Sequence, residues 1–396
     1  MQYDVIVVGA GPAGSTAARE CASRGLSVLV LDAAEFPRDK PCGGGINLHT
    51  MRLLPFGLGD VAERTVSGCR FTLRQGFEFT KCSGEPLSVM TQRSRLDALL
   101  VEKAVDAGAV LQEGARVREV ELGQRSVVVR SGGESWKGGA LVVADGVNGK
   151  TASMAGMEIP RRLFVALEGN YTPDGGVPVE WSDLVGIDIA TLPGGYGWVF
   201  PKGDHLNIGV IGWERDAQLL RPKVDGLARR YGFDPSRMWG TRGYRLPLRM
   251  PNAPLSKGNV LLTGDAAGLV DPLSGEGIYH AIWSGKSAAE HLALYADGAV
   301  MDLGGYEREI QATIAEELEI SGEYHRALHM TPWLSLAAVR WGPPQLWNGL
   351  TGWVRGDNDY RGMKQGLGLM GKGLGLASRH RRRLAAATAQ TLPARS

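Results

Sequence analysis

Three carboxylates, Asp32, Asp145 and Asp265, each close an apolar run, and glycine-rich loops lie near them in the sequence. The first loop, Gly9-Ala10-Gly11-Pro12-Ala13-Gly14, follows directly on Asp4-Val5-Ile6-Val7-Val8 and has GxGxxG spacing. Such a run suits a buried parallel strand. Gly9 permits a tight turn, Gly11 lets the backbone approach a pyrophosphate, and Gly14 lets the next helix pack closely. That helix, from Ser15 to Arg24, stops at Gly25, and Ser27-Val28-Leu29-Val30-Leu31 forms a second strand ending in Asp32. Asp32 stands 21 positions after Gly11, where a carboxylate can accept from a ribose hydroxyl while the helix N-terminus offers unpaired N–H groups to phosphate. The unit predicts a dinucleotide site and leaves FAD and NAD(P) both open.

Two further strand ends narrow the choice. Ala140-Leu141-Val142-Val143 runs into Ala144-Asp145-Gly146, and Asn259-Val260-Leu261-Leu262-Thr263 runs into Gly264-Asp265. After Asp271-Pro272, Gly275 and Gly277 open a helix reaching about Leu294. A carboxylate at a strand's end beside a second helix N-terminus can bind the ribityl hydroxyls of a flavin, while the helix dipole favours an electron-rich pyrimidine edge. Nicotinamide binding needs no such segment, so the combination points to FAD. Arg93 precedes a helix with apolar residues at 96, 99, 100 and 104; its guanidinium is either solvated or the partner of Asp97.

The chain that must position these elements has 396 residues, with 44 basic and 42 acidic side chains. A net charge of +2 supplies no field for nucleic acid. With 43% hydrophobic and 22% charged residues the composition is globular, and at roughly 100–200 residues per domain the length suggests two or three domains. The 56 glycines, about twice the usual share of ~7%, fit many tight turns and close approaches to a ligand. Cys21, Cys42, Cys69 and Cys82 all lie in the first quarter without a CxxC pair, which speaks against a disulfide framework or a cysteine-held cluster. The N-terminus lacks the charged flank of a signal peptide, and no stretch approaches the ~18 apolar residues of a spanning helix. A cytoplasmic protein is expected, with contact to a membrane surface left open.

Together Gly9 to Gly14 with Asp32, Arg93 to Asp97, Ala144-Asp145-Gly146 and Gly264-Asp265 resemble the FAD-binding set of flavoproteins built on the para-hydroxybenzoate hydroxylase fold. Within that superfamily, three segments are similar to the geranylgeranyl reductase family: Lys40-Pro41-Cys42-Gly43-Gly44-Gly45, Gly195-Tyr196-Gly197-Trp198-Val199-Phe200-Pro201-Lys202 and Leu273-Ser274-Gly275-Glu276-Gly277-Ile278. The likeness covers residues 1 to about 300. It implies an α/β fold with a discontinuous Rossmann-like FAD-binding domain (1–75, 90–155 and 255–300), an inserted α+β substrate domain on an antiparallel sheet (155–255 with part of 46–90), and a C-terminal helical region with a basic tail (301–396). It also implies cofactor contacts from Gly9, Gly11, Pro12, Ala13, Gly14, Asp32, Ala33, Cys42, Gly43, Gly44, Arg93, Arg118, Asp145, Gly146, Gly264, Asp265, Gly275, Gly277 and Ile278. A reaction centre of Cys42, Gly44, Tyr196 and Trp198 is implied as well.

Between 155 and 255 the pattern alternates, as in Leu163 to Tyr171 and Leu206 to Gly212, which supports the antiparallel sheet. The Pro41-to-Gly45 loop can lie against a flat ring without Cβ clashes, and Cys42 within it is a proton donor, a redox thiol or a small filler. Tyr196, Trp198 and Phe200 share one strand face, as a wall for a prenyl chain, a core-facing row, or both. The implied function is an FAD-dependent reductase that saturates C=C bonds of a geranylgeranyl-type chain by hydride transfer from the reduced flavin N5 plus protonation. The alternatives are a monooxygenase or halogenase of the same superfamily, and an electron carrier to membrane quinone. No second GxGxxG sits in a βαβ unit, so NAD(P)H bound transiently or a reduced ferredoxin-like protein is expected as reductant.

Past Gly304-Gly305, a helix is expected from Tyr306 to Arg326, with apolar residues at 306, 310, 314 and 318. His325 and His329 stand i, i+4 with no third ligand at matching spacing, so no metal site is expected. Trp333, Trp341, Trp347 and Trp353, the repeated Gly366-Leu367-Gly368-Leu369 and Gly373-Leu374-Gly375-Leu376, and the tail Arg379-His380-Arg381-Arg382-Arg383 complete the chain's special features. Tryptophan with arginine suits the interface of an anionic membrane, while an arginine cluster is equally a solvated tail, so peripheral membrane contact stays open; the family resemblance implies a prenyl lipid or other isoprenoid as substrate, and no nucleic acid is expected.

Overall fold

The structure, a computed structural model, describes residues 2–366. The apolar runs become five parallel strands in the order Val260–Leu262, Glu134–Val143, Gln2–Val8, Val28–Leu31 and Val110–Gln112. Their central members are apolar without alternation because the sheet is covered on both faces: Val5, Ile6, Val7, Leu29, Leu141 and Val142 are all buried. Helices Pro12–Ser23 and Ile278–Ala296 pack against each other, and Gly285 makes this possible, since a Cβ there would stand 2.6 Å from the carbonyl oxygen of Ala13.

A second sheet of seven strands runs Trp239–Arg249, Arg161–Tyr171, Leu206–Trp213, Tyr196–Pro201, Leu184–Ile189, Gly68–Leu73, Glu78–Cys82. All its pairings are antiparallel except Leu184–Ile189 with Gly68–Leu73. One face buries Leu206, Ile208 and Val210 against Leu220, Val224 and Leu227 of the helix Leu220–Arg230. The boundary expected at residue 75 needs correction. It would cut the hairpin formed by Gly68–Leu73 and Glu78–Cys82, whose first strand pairs with Leu184–Ile189 along its whole length, so the hairpin belongs wholly to this sheet. A small sheet of Gly45–Asn47, Ser88–Met90 and Arg64–Val66 joins the two larger ones in sequence.

The helix expected from Tyr306 starts at Gly304 and passes through a π-helical stretch, Gln311–Ala315, before continuing as Glu316–Met330. Tyr306, Ile310, Ile314 and Leu318 are buried, and the Tyr306 hydroxyl donates to the Leu262 carbonyl at 2.7 Å. Helices Pro332–Trp341, Pro344–Arg355 and Tyr360–Gly366 follow. Leu336 and Trp347 bury against Cys69, Phe71, Phe79 and Ile189, on the sheet face opposite Leu220–Arg230. The four tryptophans therefore divide: Trp347 and Trp353 are buried, while Trp333 and Trp341 are exposed. The Gly-Leu repeats beyond Gly366 and the Arg379 to Arg383 stretch lie outside the described residues. Among those described, no helix is long and apolar enough to cross a membrane.

Candidate functional site

The glycine loops of three distant segments open into one cavity of about 1230 Å³. Of the residues singled out in the sequence, Gly9, Gly11, Pro12, Ala13, Asp32, Ala33, Cys42, Gly43, Gly44, Arg93, Arg118, Asp145, Gly146, Tyr196, Trp198, Asp265, Gly275, Gly277 and Ile278 line it. Gly14 and Gly264 do not, and their expected place as ligand contacts is corrected. A Cβ on Gly14 would stand 1.8 Å from the Gly9 carbonyl oxygen and one on Gly264 2.9 Å from the Ala13 Cβ, so both are small because elements close up behind the cavity wall.

The cavity's polar end fits FAD. Helices Pro12–Ser23 and Ile278–Ala296 start at Gly11 and Gly277 without a side-chain cap, leaving two sets of N–H groups and two positive dipole ends beside the cavity. A Cβ on Gly11 would meet only Arg38 Nη2, at 3.5 Å, so that backbone is open to a ligand, whereas Gly9, at φ +99°, would strike the Ala144 carbonyl at 2.4 Å. Asp32 braces the loop: Oδ2 accepts from Ala10 N at 2.6 Å and Oδ1 from Ala34 N at 2.8 Å. Asp145 accepts from Thr151 N at 3.0 Å, and burial raises its pKa.

Asp265 Oδ2 lies 3.0 Å from Lys40 Nζ, which sits over the Tyr244 ring. Burial alone would lower the Lys40 pKa, but Asp265 and Tyr244 hold it above the ordinary value. Arg93 is the partner of Asp97 rather than a solvated charge: Nε and Nη2 each donate to that carboxylate at 2.7 Å, and Arg38 Nη1 joins it at 2.8 Å.

The Pro41-to-Gly45 loop is held from the second sheet. Cys42 N donates to Glu168 Oε1 at 2.7 Å. Lys202 Nζ donates to the carbonyls of Gly43 and Thr91, the latter at 2.8 Å. Gly44 adopts φ +64°, and a Cβ there would lie 2.1 Å from Thr91 O. Gly43 rests on the aromatic strand, its missing Cβ 3.0 Å from the Phe200 ring and 3.2 Å from Trp198 Nε1, which itself donates to Asn207 Oδ1 at 2.7 Å. Cys42 Sγ accepts from Gly44 N at 3.4 Å, while its own S–H meets no acceptor among the described residues. The Tyr196 hydroxyl donates to the Ser274 carbonyl, and burial raises its pKa.

Glu168 and Lys202 were absent from the site read in the sequence. Burial pushes the Glu168 pKa up to about 7, against the pull of Cys42 N and Lys202; burial also brings Lys202 down to about 8. A signal for Glu168 did exist: it follows Phe164 and Ala166 at a period of two, so a carboxylate occupies an inward position of an alternating strand.

Glu276 is a third such group. It accepts from Asn47 Nδ2 at 2.9 Å and Thr50 Oγ1 at 2.9 Å, and pairs with His49 Nε2 at 3.0 Å. Burial would raise its pKa, yet His49 holds it below the ordinary value; burial would lower that of His49, yet Glu276 holds it above. His49 Nδ1 reaches the Trp353 carbonyl at 3.0 Å, so a doubly protonated imidazole ties the Gly275-to-Gly277 loop to the C-terminal helices.

Beyond Trp198 the cavity continues as an apolar channel. Cys69, Phe71, Val185, Ile187 and Ile189 of the sheet form one wall; Leu328, Leu334, Leu336, Val339 and Leu350 of the helices form the other. Tyr196, Trp198 and Phe200 all line this space, with successive ring centroids 6.2 and 6.3 Å apart, and they also join the buried clusters behind it. His325 Nε2 lies 3.0 Å from the Gly194 carbonyl, and among the described residues no three His, Cys, Asp or Glu side chains group as metal ligands. Such a site can hold a dinucleotide at one end and lay a long hydrocarbon beside the Cys42 loop at the other.

The sequence and the fold are similar to those of known proteins. Residues 2–168 match the family described as FAD binding domain. The geranylgeranyl diphosphate reductase of Rhodobacter capsulatus is 36% identical over 320 residues, which cover 76% of this chain and 78% of that protein. The menaquinone reductase of Mycobacterium tuberculosis is 34% identical over 320 residues, 73% of this chain and 76% of that one. A solved geranylgeranyl bacteriochlorophyll reductase-like protein of Thermoplasma acidophilum shares the fold, with a TM-score of 0.75 at 23% identity over 83% of this chain and 88% of its own.

Proposed function

The chain belongs to the geranylgeranyl reductase family of FAD-dependent oxidoreductases, and on that premise we propose that it saturates C=C bonds in the isoprenoid chain of a prenyl lipid. The observation that carries this reading is the continuity of one cavity from the glycine loops to the apolar channel. A chain lying in that channel passes the Cys42 loop with Trp198 and Phe200 behind it.

Bound in this cavity, FAD in its reduced form would supply the hydride chemistry. The remaining tasks fall to the protein. In our reading, the N-termini at Gly11-Pro12-Ala13 and at Gly277-Ile278 take the pyrophosphate and the pyrimidine edge, Asp32 and Ala33 the adenosine ribose, Asp265 the ribityl hydroxyls, and Arg118 and Asp145 the flanks. An isolated alkene has no carbonyl to hold developing charge, so alignment by the channel walls carries much of the rate. The second alkene carbon needs a proton, and we assign its delivery to the Cys42 thiol, which borders the cavity with its S–H unengaged. Glu168 and Lys202 fix the loop that presents this thiol.

The electrons come from NAD(P)H or from a ferredoxin-like protein, and contact with a membrane surface brings the lipid. To test the reading, the FAD-loaded protein is reduced with dithionite under argon, and geranylgeranyl diphosphate and a geranylgeranyl glycerolipid are followed by mass spectrometry. A gain of two hydrogens per saturated bond supports it. Unchanged mass in both lipids, with the flavin still reducible, refutes it.

A further inference from the structure

Helix Pro332–Trp341 and the residue pair before it expose an unusual share of large apolar side chains: Met330 at 45%, Trp333 at 48%, Leu334 at 64% and Trp341 at 61%. The sequence around them is also one-sided in charge. From Tyr324 to Gly356 the sequence holds no Asp or Glu but three arginines, of which Arg355 is paired with Glu85 and Asp357. Arg340 lies over the rings of Trp341 and Phe77, at 4.7 and 5.0 Å, so its charge sits at the edge of the apolar patch. The same helix lends Leu334, Ala338 and Val339 to the channel wall. One short helix thus meets solvent with tryptophan and leucine and meets the channel with leucine and valine.

We propose that Pro332–Trp341 lies in the interface of an anionic lipid bilayer and that the channel opens beside it, between Leu334 and Leu346, directly into the lipid. Ten residues are too few to span a membrane, but tryptophan rings and arginine are the side chains favoured at headgroup level, and a helix that carries Arg340 and no carboxylate of its own is drawn to anionic lipid rather than repelled by it. A lateral opening lets a prenyl chain enter without crossing water. What enters the channel rests on the reductase reading; the docking itself does not.

The test uses the FAD-loaded protein with sedimenting vesicles of phosphatidylcholine alone or mixed equally with phosphatidylglycerol. Binding to the anionic vesicles is expected to be at least tenfold tighter. The double variant Trp333→Glu/Trp341→Glu should lose at least tenfold of that binding, while keeping its FAD and its turnover of a short, water-soluble prenyl diphosphate. In the Trp333→Phe/Trp341→Phe variant, quenching of fluorescence by brominated lipid should fall, because the buried Trp347 and Trp353 are out of reach. Absence of vesicle binding, binding unaltered in the glutamate variant, or a change from dimer to monomer in that variant with no effect of lipid would overturn the proposal. Vesicle binding without reduction of any prenyl compound would leave the docking standing and remove the reductase reading instead.

Discussion

Glu168 Oε1 accepts the backbone N–H of Cys42 at 2.7 Å, joining a strand of the second sheet to the loop that presents the thiol. Burial raises this carboxyl from the usual 4.5 to about 7. Since the folded-state pKa is the higher one, the stability it contributes is complete below 4.5 and is lost as pH rises through about 7. Glutamine carries no such proton. The melting temperature of Glu168→Gln relative to the unaltered protein should therefore rise by a few degrees from about pH 5 to about pH 8; a difference independent of pH would show that the carboxyl titrates normally.

Lys202 supports the same loop from the other side, through the carbonyls of Gly43 and Thr91. Lys202→Met keeps most of the side-chain volume and removes both bonds. With charge-assisted bonds worth about 1.5–3 kcal/mol each, and some relief from no longer burying a cation, kcat should fall roughly 10- to 100-fold. The apolar channel should remain intact, so KM for the prenyl substrate should move less than threefold. A larger change in KM than in kcat would place Lys202 in substrate binding.

Cys42 and Tyr196 should behave oppositely. The Tyr196 hydroxyl is engaged by the Ser274 carbonyl, so Tyr196→Phe should retain activity within about fivefold and lose some thermal stability, on the order of 1 kcal/mol. Cys42→Ala removes the proposed donor and should cost about 100-fold or more in product formation while leaving flavin content unchanged. Cys42→Ser, which keeps an O–H, should recover part of the loss. If alanine and serine perform alike at near-full rate, Cys42 is a filler.

The dinucleotide cradle was legible because it is local. Gly9, Gly11, Asp32 and Asp265 each take their place from a strand, a turn and a helix adjacent in sequence. Glu168 and Lys202 reach the Cys42 loop across 126 and 159 residues, contacts that depend on how one sheet faces another. The division of the tryptophans has the same origin: Trp347 is buried because Pro344–Arg355 lies over the sheet, where its Nε1 donates to the Cys82 carbonyl, and spacing alone cannot say which indole finds that cover. Gly14 was legible as a packing position but not as one that stands clear of the cavity. Within GxGxxG it has the same residue type as Gly11, yet it faces Gly9 and Ala144 rather than the ligand.

Oxygen-free single turnover tests the central claim most directly. The bound FAD is photoreduced under argon and mixed rapidly with geranylgeranyl diphosphate, the visible spectrum is followed, and the lipid is weighed by mass spectrometry. One equivalent of flavin should reoxidise per double bond saturated, with two hydrogens gained by the lipid. Flavin that stays reduced until air is admitted, with the lipid unaltered, would contradict the account.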